Sequence, residues 1–174
     1  MKNIYLIGMP SSGKSTLGKR LARELMYFFV DTDRMIIREE GRTIPEIFSQ
    51  SGEVYFREAE ARVLRSIRPG GSQVIATGGG MPCFHDNMAY IKATGVSIFL
   101  DVSPEAILAR MQVHAQEYPA DATDRPLYNP YDDELLGTLR QKYDDRIDIY
   151  RQADITITGD ATVQAVLDRL GDWL

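Results

Sequence analysis

Gly8-Met9-Pro10-Ser11-Ser12-Gly13-Lys14-Ser15-Thr16 follows directly on the apolar run Ile4-Tyr5-Leu6-Ile7, and its reading decides the fold. The stretch has the form G-x-x-x-x-G-K-S, the pattern of a phosphate-binding loop set between a strand and a helix. In a Gly-rich turn, successive backbone N–H groups can approach an anion closely, because no Cβ stands in the way. Lys14 adds a point charge suited to the β- and γ-phosphates of a nucleotide. Ser15 offers a hydroxyl to Mg²⁺, and the following helix N-terminus favours negative charge. Gly8, Ser11, Ser12, Gly13, Lys14, Ser15 and Thr16 are therefore the candidate nucleotide-binding residues. Downstream, Leu17, Leu21 and Leu25 recur at helical spacing, with Ala22 beside Leu21. A plain Gly/Ser turn would account for the glycines but not for the Lys-Ser pair at the required offset.

Outward from this loop, apolar strand-like runs recur at residues 4–7, 28–30, 73–77, 96–100 and 155–158, with helical patterns between them. The last helical pattern places Val163, Val166, Leu167 and Leu170 on one face. Such alternation predicts an α/β fold: a parallel sheet covered by helices on both sides. With no internal repeat, low-complexity tract or dividing linker, residues 1–174 read as one domain. One stretch departs from the alternation. Val113 to Tyr131 carries Pro119, Pro126 and Pro130, and a loop of this length in a compact domain is usually functional. In a phosphate-transfer enzyme its natural role is a mobile lid over the nucleotide, at about 113–131. A surface insertion is the plainer alternative.

The net charge of −5 argues against a general nucleic-acid surface, so any anion site must be a local cluster of basic residues. The sole cysteine, Cys83, can form no intrachain disulfide, which fits a reducing compartment. Met1-Lys2-Asn3 leads straight into the first apolar run, and neither a secretory h-region nor a transmembrane run is present. The expectation is a cytoplasmic protein with small-molecule partners, no membrane and no nucleic acid, working as a monomer.

A second constellation lies in Asp31-Thr32-Asp33, directly after the second strand-like run. The C-terminal ends of parallel strands form the ligand crevice, so both carboxylates can face the phosphate loop. Phosphorylation of an alcohol needs a carboxylate to orient the hydroxyl and accept its proton, the role open to Asp33. Mg²⁺ needs oxygen ligands, the role open to Asp31 beside Ser15. Helix capping by Thr32 or Asp33 is the competing explanation. Gly78-Gly79-Gly80 closes the third run, a costly sequence unless something must touch the main chain. Arg57 and Glu60 share a helical face at i, i+3, where Glu60 can hold the Arg57 fork toward a carboxylate, or the two can form a solvated surface pair. Arg110, Arg125 and Arg146 are further anion-binding candidates, each open to a reading as an ordinary surface arginine. His85 and His114 read as surface or loop residues, and Trp173 as a cap on the core.

Taken in order, these blocks resemble shikimate kinase, of the nucleoside-monophosphate-kinase-like group of phosphate-loop enzymes. The resemblance runs nearly end to end. It rests on Gly8 to Thr16, Asp31-Thr32-Asp33, Gly52-Glu53-Val54-Tyr55-Phe56-Arg57-Glu58-Ala59-Glu60, Thr77-Gly78-Gly79-Gly80, Arg125-Pro126-Leu127, and Arg146 with Tyr150. It implies a three-layer α/β/α fold with a five-stranded parallel sheet in the order 2-3-1-4-5 and an acceptor-binding region at about 31–60. It implies transfer of the ATP γ-phosphoryl group to the 3-hydroxyl of shikimate, in aromatic amino-acid biosynthesis, with Mg²⁺. Asp33 would be the base, and Arg57 and Arg146 would grip the acceptor carboxylate. Gly78, Gly79 and Gly80 would meet the acceptor through main chain. Arg125 would close onto the transferring phosphate, Arg110 would pack against adenine, and Asp31 with Ser15 would support the metal. The chain departs from the family within the loop, where Met9-Pro10-Ser11-Ser12 stands in place of a run richer in Gly and Ala, and in the longer segment from Arg110 to Arg125. A kinase for another small acceptor, gluconate or a nucleoside monophosphate, and a nucleotide-binding module without transfer activity are the alternatives.

Overall fold

The computed structural model describes residues 1–118 and 128–174. Five parallel strands form its centre: β1 (Asn3–Ile7), β2 (Phe28–Asp31), β3 (Gln73–Ala76), β4 (Gly95–Asp101) and β5 (Ile155–Thr158). Their spatial order is β2-β3-β1-β4-β5, the order the family resemblance implies. Among the described residues the helices are α1 (Lys14–Leu25), α2 (Thr32–Glu40), α3 (Ile44–Ser66), α4 (Asn87–Thr94), α5 (Pro104–Glu117), α6 (Leu135–Tyr150) and α7 (Val163–Leu170), with one 3₁₀ turn at Met81–Cys83.

The central strand β1 is buried throughout, as a parallel strand covered on both faces must be. Its side chains alternate between two cores. Ile4 and Leu6 join Leu17, Leu21, Val166 and Leu170 from α1 and α7 on one face. Tyr5 and Ile7 join Leu64, Ile91, Ile107, Leu139 and Tyr150 from α3 to α6 on the other. A smaller cluster, Ile36, Ile47, Phe56, Ala59 and Val63, binds α2 to α3. The apolar spacings read from Leu17 onward and from Val163 onward thus mark the buried stripes of α1 and α7.

Local signals place the helix ends. Thr43 and Glu46 form a reciprocal capping box at the start of α3, whose first turn also holds Pro45. Gly52, at φ 83° and ψ 174°, bends α3 into two limbs; only glycine adopts this backbone freely. Ser103 caps α5 and Thr162 caps α7. Helix α5 continues through residues 113–117, so regular structure reaches further than the irregular stretch expected from Val113. Of the lid expected at about 113–131, residues 119–127, with Arg125, Pro126 and Leu127, lie outside the described residues. Trp173 corrects an expectation. It lies beyond α7, 36% exposed, with the Lys2 ammonium 5.9 Å from its ring, and does not cap the core. The buried positions of α7 end at Leu170, three residues earlier.

Candidate active site

A cavity of about 730 Å³ opens at the C-terminal ends of β1, β2 and β3, where the loops after each strand converge. The loop after β1 is held in a conformation that its sequence dictates. Gly8 has φ 144°, and a Cβ there would stand 2.8 Å from the Leu100 carbonyl oxygen, so only glycine fits. Ser11, with φ 59°, takes a left-handed conformation rare for a side-chain-bearing residue. The Lys14 ammonium folds back over the loop, donating to the carbonyls of Gly8 at 2.9 Å and Met9 at 2.6 Å. Helix α1 begins with no side-chain cap on its N-terminus, leaving its first N–H groups directed at the cavity rim.

At the end of β2, Asp31 serves two partners. One carboxylate oxygen accepts from the Ser15 hydroxyl at 3.0 Å, and the other caps α2 by accepting from the Arg34 N–H at 3.3 Å. The capping anticipated at Thr32 or Asp33 therefore belongs to Asp31, one or two residues earlier. Thr32 is turned inward instead, its hydroxyl donating to the Ala76 carbonyl and accepting from the Gly78 N–H at 3.1 Å. That contact ties the start of α2 to the glycine run. Asp33, in the first turn of α2, is released to line the cavity.

The glycine run forms a floor on which charged side chains lie. A Cβ at Gly78 would stand 2.7 Å from Glu60 Oε2 and 2.9 Å from Asp33 Oδ1. At Gly79 it would strike the Pro10 ring at 2.8 Å and come within 3.2 Å of an Arg146 nitrogen. At Gly80 it would meet the Arg57 guanidinium at 2.5 Å. Three glycines stand together because a different set of side chains presses on each.

Arg57 is buried, so the solvated-pair reading fails. Its Nη1 donates to Glu60 at 2.6 Å, its other side to Glu53 at 3.2 Å, and its guanidinium lies 4.3 Å from the Phe84 ring centre. Burial pushes the Glu60 carboxyl up to about 7, opposed by the Arg57 charge and reinforced by Asp33. Arg146 is also buried, 6% exposed, and no surface arginine. Its neighbour one turn on, Tyr150, donates to the Gly79 carbonyl, and both reach the Met9 sulfur at 4.0 Å. Burial raises the Tyr150 phenol well above its usual range. Phe48 and Phe56, with ring centres 4.8 Å apart, supply an apolar wall opposite the floor.

One cavity thus gathers Ser11, Gly13, Lys14, Ser15, Thr16, Asp31, Asp33, Arg57, Gly78, Gly79, Gly80, Arg110 and Arg146. Gly8 and Ser12 sit behind the loop: Ser12 is buried, its hydroxyl 3.4 Å from Lys14 Nζ. Arg110 stands at the rim, paired with Asp160 at 2.8 Å and reaching the Ser11 carbonyl at 3.5 Å, beside a second hollow of about 500 Å³. Glu53, Thr32, Phe48, Tyr128 and His114 were not singled out as site residues by sequence. Two carried a legible signal: Glu53, one turn before Arg57 on the same face of α3, and His114, one turn after Arg110 on the same face of α5; His114 is exposed, and it lines the cavity. Among the described residues, no cluster of three or more His, Cys, Asp or Glu side chains is arranged for a metal, and no helix is long and apolar enough to cross a membrane.

Comparison with known proteins places the sequence and the fold. The family model for shikimate kinase matches residues 10–174. A shikimate kinase of Bacteroides fragilis is 41% identical over 160 residues, which are 92% of this chain and 86% of that protein. The structure of a shikimate kinase from Acinetobacter baumannii in complex with shikimate superposes with a TM-score of 0.87 at 32% identity, covering 99% of this chain and 94% of that one. A shikimate kinase structure from Bacteroides thetaiotaomicron gives 0.83 at 34% identity, covering 98% and 97%.

Proposed function

Given that the chain belongs to the shikimate kinase family, we propose how its residues carry the ATP γ-phosphoryl group to the 3-hydroxyl of shikimate. The observation that carries the reading is the single cavity, with a phosphate loop on one wall and a carboxylate, two buried arginines and a glycine floor on the others. Phosphoryl transfer asks a protein for positioning and charge neutralisation more than for covalent chemistry.

Lys14 would exchange its loop carbonyls for the β- and γ-phosphates, which offer it full negative charge. The uncapped start of α1 and the loop N–H groups would surround the same phosphates. Arg110 would pack against the adenine beside the Asp160 loop. The Ser15 hydroxyl and Asp31 carboxylate, 3.0 Å apart, are hard oxygen donors of the kind Mg²⁺ takes, and phosphate and water oxygens would complete its shell. Mg²⁺ bound there would offset charge on the β- and γ-phosphates.

On the acceptor side, Arg57 and Arg146 would grip the carboxylate of shikimate, Arg57 aimed by Glu53 and Glu60. Gly78, Gly79 and Gly80 would let the acceptor ring reach the floor. Asp33 would accept the proton from the 3-hydroxyl as its oxygen attacks phosphorus. Arg125 would stabilise the transferring phosphate from the lid. The single Cys83 is in keeping with the cytoplasm. The test is ADP release with ATP and Mg²⁺, with and without shikimate. Release that depends on shikimate supports the reading. Equal release in both, or release driven instead by gluconate or a nucleoside monophosphate, refutes it.

A further inference from the structure

Tyr128 is a cavity-lining residue to which the reaction above gives no part. It is half-buried, and its ring packs against the core cluster that contains Leu135, Leu139 and Tyr150. The chain beyond it is anchored. Pro130 is buried and accepts from the Gln112 side chain of α5 at 3.4 Å, and Asn129 closes a turn onto Asp132 at 3.0 Å. Tyr128 thus belongs to the wall between α5 and α6.

Its phenol bears electrostatically on both the Arg146 guanidinium and the Tyr150 phenol. Tyr150 is fully buried, and its hydroxyl already donates to Gly79. Tyr128 is the one tyrosine among the described residues that line the cavity, and Arg146 lines it too. A carboxylate has about four acceptor positions, more than two guanidinium groups approaching from Arg57 and Arg146 need fill. A hydroxyl donor beside Arg146 suits one of those left over, and an O–H donating to an anion makes one of the stronger neutral-donor contacts.

We propose that Tyr128 is a further acceptor-binding residue, its ring closing the pocket beside Arg146 and its hydroxyl donating to the acceptor carboxylate. The inference rests on shikimate as the acceptor. It makes Tyr128 a reader of the charged carboxylate as against its neutral derivatives.

The test compares wild type, Y128F and Y128L in shikimate-dependent ADP release, with thermal melts alongside. Y128F keeps the ring and its packing. Its KM for shikimate should rise about ten- to a hundredfold, with kcat and the KM for ATP within twofold, the effect of losing one hydrogen bond to a charged group. Y128L should lose more. The preference of wild type for shikimate over its methyl ester should shrink in Y128F by the same ten- to a hundredfold. An unchanged KM, or an unchanged preference, against an active wild type overturns this inference alone. A wild type with no shikimate-dependent release overturns the proposed function along with it.

Discussion

Replacing Gly80 by alanine adds one methyl group and isolates the geometry of the acceptor clamp. Gly80 has φ −88° and ψ −11°, an ordinary conformation for alanine, so the backbone itself bears no strain. The new Cβ would stand 2.5, 2.7 and 2.8 Å from three atoms of the Arg57 guanidinium. Ordinary contact begins at 3.4 Å, so the guanidinium must retreat by about 0.9 Å. A long side chain can do this at small cost to the fold, but this one is pinned by Glu60 at 2.6 Å and Glu53 at 3.2 Å. A displacement of about 1 Å in a positioning group costs on the order of a hundredfold in rate. We expect kcat/KM for shikimate to fall about a hundredfold, with the KM for ATP within twofold and the melting temperature little changed. The measurement is a coupled ADP-release assay with each substrate varied in turn. If Gly80→Ala keeps kcat/KM for shikimate within threefold of wild type, Arg57 is not held for the acceptor by this floor. If the KM for ATP rises equally, the floor serves the nucleotide instead.

Four further outcomes are expected. Asp33→Asn should lower kcat about 10²- to 10⁴-fold with folding intact, the usual worth of a general base, and a near-normal rate in steady-state assay removes Asp33 from that role. Arg57→Ala should weaken use of shikimate far more than use of ATP; equal losses would make Arg57 structural. Arg110→Ala should raise the KM for ATP several-fold and leave the KM for shikimate unchanged, and the reverse pattern would move Arg110 to the acceptor. Glu60 makes a prediction about pH. Burial lifts its carboxyl from the usual 4.5 to about 7, so between those values the folded chain holds a proton that the unfolded chain has lost. Stability should therefore decline as pH rises from about 4.5 to about 7 and level off above, and Glu60→Gln should remove that component. Parallel pH–stability curves for the two proteins would contradict it.

What the sequence conveyed about the site was whatever depends on neighbours in the chain. The phosphate loop is nine consecutive residues, and its chemistry needs no distant partner to be legible. The sheet was legible because a buried parallel strand such as β1 must be apolar on both faces. The glycine run shows where local reading stops. It suggested a ligand against the main chain; in addition, the protein's own Glu60, Asp33, Pro10 and Arg57 occupy the space that side chains would need. Those contacts join residues from 18 to 69 positions apart, and nothing in Thr77-Gly78-Gly79-Gly80 specifies them. The Thr32 hydroxyl, 46 residues from the Gly78 N–H it receives, was hidden for the same reason. Arg57 and Glu60 were paired correctly by helical spacing, but their burial depends on Phe84 and the glycine floor, which no helical wheel contains.

The contact of Pro10 with Gly79 has a consequence for how the two substrates are bound. Pro10 belongs to the nucleotide loop and Gly79 to the acceptor floor, and no side chain separates them. The Met9 sulfur, in the same loop, lies within 4.0 Å of Arg146 and Tyr150. In the proposed reading, donor and acceptor sites would thus share a party wall, through which a ligand on one side could change the work of settling the other. Such coupling is reciprocal: the factor by which bound nucleotide alters shikimate affinity must equal the factor by which bound shikimate alters nucleotide affinity. The two affinities of this enzyme form one thermodynamic cycle, and Pro10 stands where its two halves meet.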